Sequence, residues 1–170
     1  GLWDPPTTKP FQTYALVHDG GSGDPLVLLG SPRRAPLGLL PTELQGGTAF
    51  SRAAWNGDIE VMRLLMKHGA DPLVKTDKNE TALLLLAGAG WPLGQGYIRS
   101  DEEIMASLDL FVNELEMDVN ATTTEGITPL ICAVFKGTNN VVQYLADHGA
   151  RLDAKDNAGR SVLEWAQGIA

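Results

Sequence analysis

At 170 residues, with 44% hydrophobic and 20% charged content, the chain is long enough for one domain with a sizeable core or for a short solenoid, and too apolar for wholesale disorder. The formal net charge of −8 argues against nucleic acid as a partner and suits a basic protein surface, while the single Cys132 excludes an internal disulfide and any Cys-rich metal site. The longest apolar runs, such as ALLLLA at 82–87, are far too short to cross a bilayer. The start at Gly1, with no Met and no apolar leader, reads as processed or as a fragment and leaves cytoplasmic and secreted or periplasmic locations both open.

In chain order, residues 1–45 come first and differ from the rest. Seven of the ten prolines lie here, with HDGGSGD at 18–24, so no regular helix is expected. Two short apolar pieces, TYALV at 13–17 and PLVLLG at 25–30, can form the strands of a small hairpin around the glycines. Arg33-Arg34 reads as a solvated loop. From residue 46 the sequence becomes periodic. GGTAFSRAAWNGDIEVMRLLMKHGADPLVK (46–75) realigns with EGITPLICAVFKGTNNVVQYLADHGARLDAK (125–155), and AGRSVLEWAQG (158–168) begins the same way. KNETALLLLAGAG (78–90) supplies a further start. Thr48, Thr81, Thr128 and Ser161 occupy one position at intervals of 33, 47 and 33 residues, so the middle interval carries 14 extra.

Thr48, Thr81 and Thr128 are predicted to cap a first helix, and Pro129 fits a first helical turn. Ala53, Ala54, Ala87 and Ala133 are small enough for close helix stacking, and Gly69 and Gly149 end second helices in the left-handed conformation. Asn79 stands where a turn Gly is expected, and Asn tolerates that conformation best among residues bearing a side chain. Leu64, Leu65, Leu83, Leu130 and Val141 are the expected core.

The extra residues fall after Gly90. AGAGWPLGQGYIRSDEE (87–103) has glycines spaced as neither a dinucleotide fingerprint nor a P-loop, and a helix rather than a strand precedes it, so a phosphate loop is rejected for an insertion at 91–100. Ser100 and Glu103 make a capping box that restarts a helix near Asp101, with Ile104, Leu108, Phe111 and Leu115 on one face. Trp91, Leu93, Tyr97 and Ile98 make the 91–99 loop apolar enough to fold back over its own repeat or to meet a partner.

On these matches residues 43–170 resemble the ankyrin-repeat family, whose turn Gly, parts of T-P-L-H-x-A-A, interhelical Gly and G-A-D recur here with the right spacing. The resemblance implies an all-α solenoid, helix-turn-helix units with β-turn fingers, preceded by an irregular Pro/Gly-rich arm at 1–45 that is either an arm or an inter-repeat insertion. It implies about three repeats and a truncated last one over 46–170. On that resemblance GLWDP at 1–5 is similar to the closing G-A-D-P of a preceding repeat. Two departures bear on packing. The His of T-P-L-H is replaced by Ser51, Leu84, Ile131 and Glu164, which predicts weaker bracing between turns, and Glu116-Met117 replaces Gly-Ala, which predicts an irregular helix end.

No catalytic constellation emerges. His68 and His148 hold one position of two repeats separated by a third, Cys132 reads as a small buried hydrophobe, and Ser22 lacks the strand–turn–helix context of a nucleophile elbow. No cofactor or metal is expected, and the chain reads as a non-enzymatic scaffold or accessory subunit binding another protein, basic or a fellow subunit. The competing reading is a ligand-binding or accessory enzyme domain whose pocket is closed by the arm and the 91–99 loop. By the resemblance, partner contacts fall on turn residues Asp77, Lys78, Glu80, Thr124, Glu125, Ile127, Asn157 and Arg160, and on the first-helix ends Trp55, Asn56, Phe135 and Lys136. Trp55 and Phe135 are expected as exposed rings flanking a dip at Gly88.

Overall fold

The computed structural model describes residues 15–17, 27–29, 46–89 and 99–168. The chain divides into two units, Gly1–Leu40 and Pro41–Ala170. In the first, β1 (Ala15–Val17) pairs antiparallel with β2 (Val27–Leu29), Leu16 opposite Leu28. The two apolar pieces on either side of the glycines thus meet as a hairpin.

In the second unit, repeat 1 comprises α1 (Ala49–Asn56) and α2 (Ile59–Lys67). Repeat 2 comprises α3 (Ala82–Ala87) and α4 (Asp101–Asp109), the latter prolonged by a π-helical turn over Leu110–Glu114. Repeat 3 comprises α5 (Pro129–Lys136) and α6 (Asn139–Asp147), and α7 (Val162–Ala166) opens a fourth. Each first helix starts where its hydroxyl residue stands. Thr48, Thr81, Thr128 and Ser161 all accept a hydrogen bond from the backbone N–H three residues on. Ser100 and Glu103 form the reciprocal box that launches α4.

First helices stack in chain order, α1 on α3, α3 on α5, α5 on α7, and the second helices lie behind them. This is the all-α solenoid of stacked helix pairs. Ala53, Ala54, Ala87 and Ala133 are buried at the stacking faces, where a larger side chain would force the helices apart. The six residues of α3 are all buried, because that helix has neighbours on three sides in α1, α5 and α4. Phe50 and Phe111 meet edge-on with centroids 6.3 Å apart at the centre of the core, beside Leu83, Ile104, Leu108, Leu130 and Val141. Leu64 departs from expectation: it is 54% exposed on the outer side of α2, while Met62 takes the fully buried place. Leu65 packs half-buried on the core.

The helix ends explain two sequence oddities. Asn79 adopts φ 63°, the conformation glycine takes at Gly126, and its Nδ2 donates to the Thr122 carbonyl at 2.6 Å. Glu116 adopts φ 50° in the place of Gly69 and Gly149. The preceding π-helical turn, with Leu115 N–H donating to Leu110 O at 2.9 Å, absorbs one residue and brings the chain to that corner in register. The irregular helix end is therefore a π-turn followed by a left-handed Glu.

Candidate protein-binding face

Among the described residues, three hairpin fingers project from the stack, with tips at Asp77-Lys78, Thr124-Glu125 and Asn157-Ala158. Each finger is closed by its own first residue. Thr76 N–H donates to Glu80 O at 3.1 Å, Thr123 N–H to Ile127 O at 3.0 Å, and Asp156 N–H to Arg160 O at 3.0 Å. Neighbouring fingers are tied by backbone bonds. Thr124 N–H donates to Lys78 O at 2.9 Å and Asn157 N–H to Glu125 O at 2.9 Å. These peptide bonds brace the turns without the missing histidines. Gly126 shows how closely the fingers approach, since a Cβ there would lie 2.4 Å from Asn157 Oδ1.

The expected contact residues divide by location. Asp77, Lys78, Thr124, Glu125 and Asn157 are exposed along the tips. Glu80 is not: it is 4% exposed, and its Oε2 accepts the Thr76 hydroxyl at 2.7 Å inside the first finger. Ile127 is half-buried against the cluster of Leu84, Leu85, Ala87, Ala89 and Cys132. Asn56 is half-buried, its Nδ2 donating to Arg52 O at 3.0 Å.

Trp55 and Phe135 do not flank a common dip. Each leans on the following repeat. Trp55 is half-buried on the α3 cluster, and its Nε1 donates to the Ala89 carbonyl at 3.1 Å. Phe135, 38% exposed, meets Trp165 edge-on at 5.3 Å. The ground between them at Gly88 is covered by the stem of Lys136, whose Cδ would be 3.1 Å from a Cβ at that glycine. A lysine stem lying along apolar surface fills what glycine leaves open. Burial pushes the Lys136 amine down to about 7 and the Cys132 thiol, next to it on α5, up to about 12.

The sequence reading missed one group. Asp156 stands where the other fingers have Thr76 and Thr123, and that substitution was its only signal. Its side chain is 1% exposed; Oδ1 accepts from Ala158 N at 3.0 Å and Arg160 N at 2.9 Å, and Oδ2 from Arg160 Nε at 2.7 Å and Trp165 Nε1 at 3.1 Å. Burial raises the carboxyl's pKa, but these donors outweigh it and hold it below its ordinary value. Arg160 in turn lies 4.3 Å over the Trp165 ring. The result is a ledge of Phe135, Trp165 and Arg160 fixed from below by one carboxylate.

A cavity of about 230 Å³ lies between the first two fingers and α5, bordered by Lys78, Glu80, Thr123, Thr124, Glu125 and Cys132. The segments expected to close a pocket, residues 1–45 and Trp91, Leu93, Tyr97 and Ile98, lie outside the residues whose side chains are described, as do Ser22 and GLWDP at 1–5. Arg99, where the insertion re-enters the fold, pairs with the buried Asp58 that caps α2, and reaches Glu103 at 3.5 Å. His148 stacks on Tyr144 at 4.0 Å, and the described residues contain no group of three or more His, Cys, Asp or Glu placed to hold a metal.

Helix pairs stacked through capped first helices and joined by hydrogen-bonded fingers define a helical-repeat solenoid. A family profile described as Ankyrin repeats (3 copies) matches residues 100–168, and one described as Ankyrin repeat matches residues 45–77. The chain belongs to the ankyrin-repeat family. It is 27% identical over 124 residues to Alpha-latrocrustotoxin-Lt1a of Latrodectus tredecimguttatus, covering 73% of this chain and 8% of the toxin. It is 26% identical over 128 residues to Neurogenic locus notch homolog protein 1 of Xenopus laevis, covering 75% of this chain and 5% of that protein. Over 46 residues it is 44% identical to human Transient receptor potential cation channel subfamily A member 1, covering 27% of this chain and 4% of the channel. The chain thus spans less than a tenth of the length of these relatives. Ankyrin repeats generally mediate protein–protein interaction and are typically non-catalytic, and no helix among the described residues is long and apolar enough to cross a membrane.

Proposed function

We propose that this chain is a non-catalytic module that binds a partner protein along the row of finger tips and the adjoining first-helix edge. The observation that carries the reading is the pair of backbone bonds, Lys78 to Thr124 and Glu125 to Asn157, which hold exposed tips in one preorganised row. A row already ordered loses little conformational entropy on binding. Asp77, Lys78, Thr124, Glu125 and Asn157 supply its polar contacts, and Phe135 with Arg160 over Trp165 supplies an aromatic and cationic anchor. Trp55, Asn56, Glu80, Ile127 and Lys136 shape this face from beneath. The net charge of −8 favours a partner with a basic contact surface.

The test compares wild type with a variant carrying Asp77→Lys, Glu125→Lys and Phe135→Ala in affinity capture from the native source, read by mass spectrometry. A protein retained by wild type and lost from the variant, with melting unchanged, supports the reading. Equal capture of every retained protein by both chains overturns it.

A further inference from the structure

The junction between repeats 1 and 2 lacks a brace that the next junction has. In the second, Asn120 reaches across to the corner after α6: its Nδ2 donates to the Gly149 carbonyl at 3.0 Å and its Oδ1 accepts the Arg151 N–H at 2.8 Å. One carboxamide thereby satisfies a backbone acceptor and a backbone donor together. In the first junction the same slot holds Leu73. The equivalence is structural as well as sequential, because Leu73 N–H donates to Asp71 Oδ1 at 2.9 Å just as Asn120 N–H donates to Asp118 Oδ1 at 2.8 Å.

A leucine can make neither bond. The counterparts of Gly149 O and Arg151 N–H are Glu116 O and Asp118 N–H, and among the described residues no hydrogen bond takes either group. Leu73 instead stands 60% exposed at the edge of a cavity of about 530 Å³. Leu115 and Met117 give it an apolar floor, Glu116 and Asp118 put two exposed carboxylates on its rim, and Lys75 lies on the first finger's side.

We propose that this notch is a second binding site, which takes an Asn or Gln side chain from an extended partner segment with a Lys or Arg beside it. The chemistry selects the group. A backbone C=O and N–H presented together need a ligand that both donates and accepts, as a carboxamide does and an ammonium does not. A carboxylate can accept but not donate, and it meets Glu116 and Asp118 as like charges. The same two carboxylates attract the neighbouring base. Asn120 in the next junction is the bound state of this contact, built into the chain itself.

The experiment selects short random peptides displayed on phage against the whole chain and against its Leu73→Asn variant, which supplies the carboxamide internally as Asn120 does. Wild type is expected to enrich Asn or Gln next to Lys or Arg. An enriched peptide should shift the Asp118 amide in the nitrogen–proton spectrum, and should bind about tenfold more weakly to Leu73→Asn, as expected for loss of a hydrogen-bonded contact. Replacing the peptide's Asn by Asp should weaken it similarly. Enrichment of the same peptides by both chains, selection without any carboxamide preference, or binding that leaves the Asp118 amide unmoved would each overturn the assignment. The finger variant with Asp77→Lys, Glu125→Lys and Phe135→Ala should keep peptide binding, which separates this site from the finger row.

Discussion

Lys136 and Asp156 put buried charge next to the proposed binding edge, with opposite consequences. The Lys136 amine titrates at about 7 in the folded chain against 10.5 for a free lysine. A depressed lysine value means the fold disfavours the charged form. The penalty is full below pH 7 and is relieved as pH rises from 7 to 10.5, because there the unfolded chain still binds the proton and the folded chain does not. Lys136→Met should therefore be more stable than wild type at and below neutrality, and the advantage should shrink towards pH 10.5 in denaturant melts at a series of pH values. Asp156 behaves as a support. Its carboxylate takes four hydrogen bonds, two of them from Arg160. Asp156→Ala leaves the Trp165 N–H and the finger's own N–H groups without that acceptor and should cost about 2 kcal/mol in urea unfolding. Asp156→Asn, which keeps part of the acceptor geometry, should cost less.

At the level of elements, the first junction and the insertion make separate predictions. Leu73→Asn should restore the brace made by Asn120 and raise stability by about 1 kcal/mol, the usual net worth of such hydrogen bonds. No gain in the urea midpoint would count against the equivalence of the two junctions and against the site proposed there. The insertion is expected to be dispensable only up to Ile98. Arg99 belongs to the repeat, since it neutralises Asp58 at the start of α2 and joins Glu103 in the first turn of α4. Replacing Trp91 through Ile98 with a short polar turn while keeping Arg99 should change stability by only ~1 kcal/mol, because loop-closure entropy varies slowly with length. A thermal melt that loses its transition would assign the loop's aromatics to the core.

Across the whole solenoid, stability is a sum over neighbours, and neighbours are unequal. Helix α3 is enclosed by α1, α5 and α4, whereas α7 has five residues, none of them buried. Amide exchange should be slowest at 83–87 and fastest, among the described helices, at 162–166. Equal protection at both places would mean that the array opens only as one unit.

Much of this architecture is legible in the sequence because the repeat is written in short-range chemistry. A hydroxyl three residues before the N–H it caps, a glycine or asparagine at a left-handed corner, and alanines spaced along a helix act within one repeat, so Thr48, Asn79, Ala133 and Ser100 could be placed by reading alone. Even the irregular end at Glu116 showed as a missing glycine. What depended on the next repeat could not be read that way. Trp55 finds Ala89, Phe135 finds Trp165, and Lys136 lies across Gly88. Leu64 and Met62 both suit a buried helix face, and only the direction of the neighbouring helix puts Met62 inside and Leu64 out. The repeat pattern by itself determined the fold and the positions of caps and corners, because those bonds close over three or four residues. Tertiary structure alone decided which side chains remain on the surface, because that choice belongs to contacts between residues some thirty positions apart.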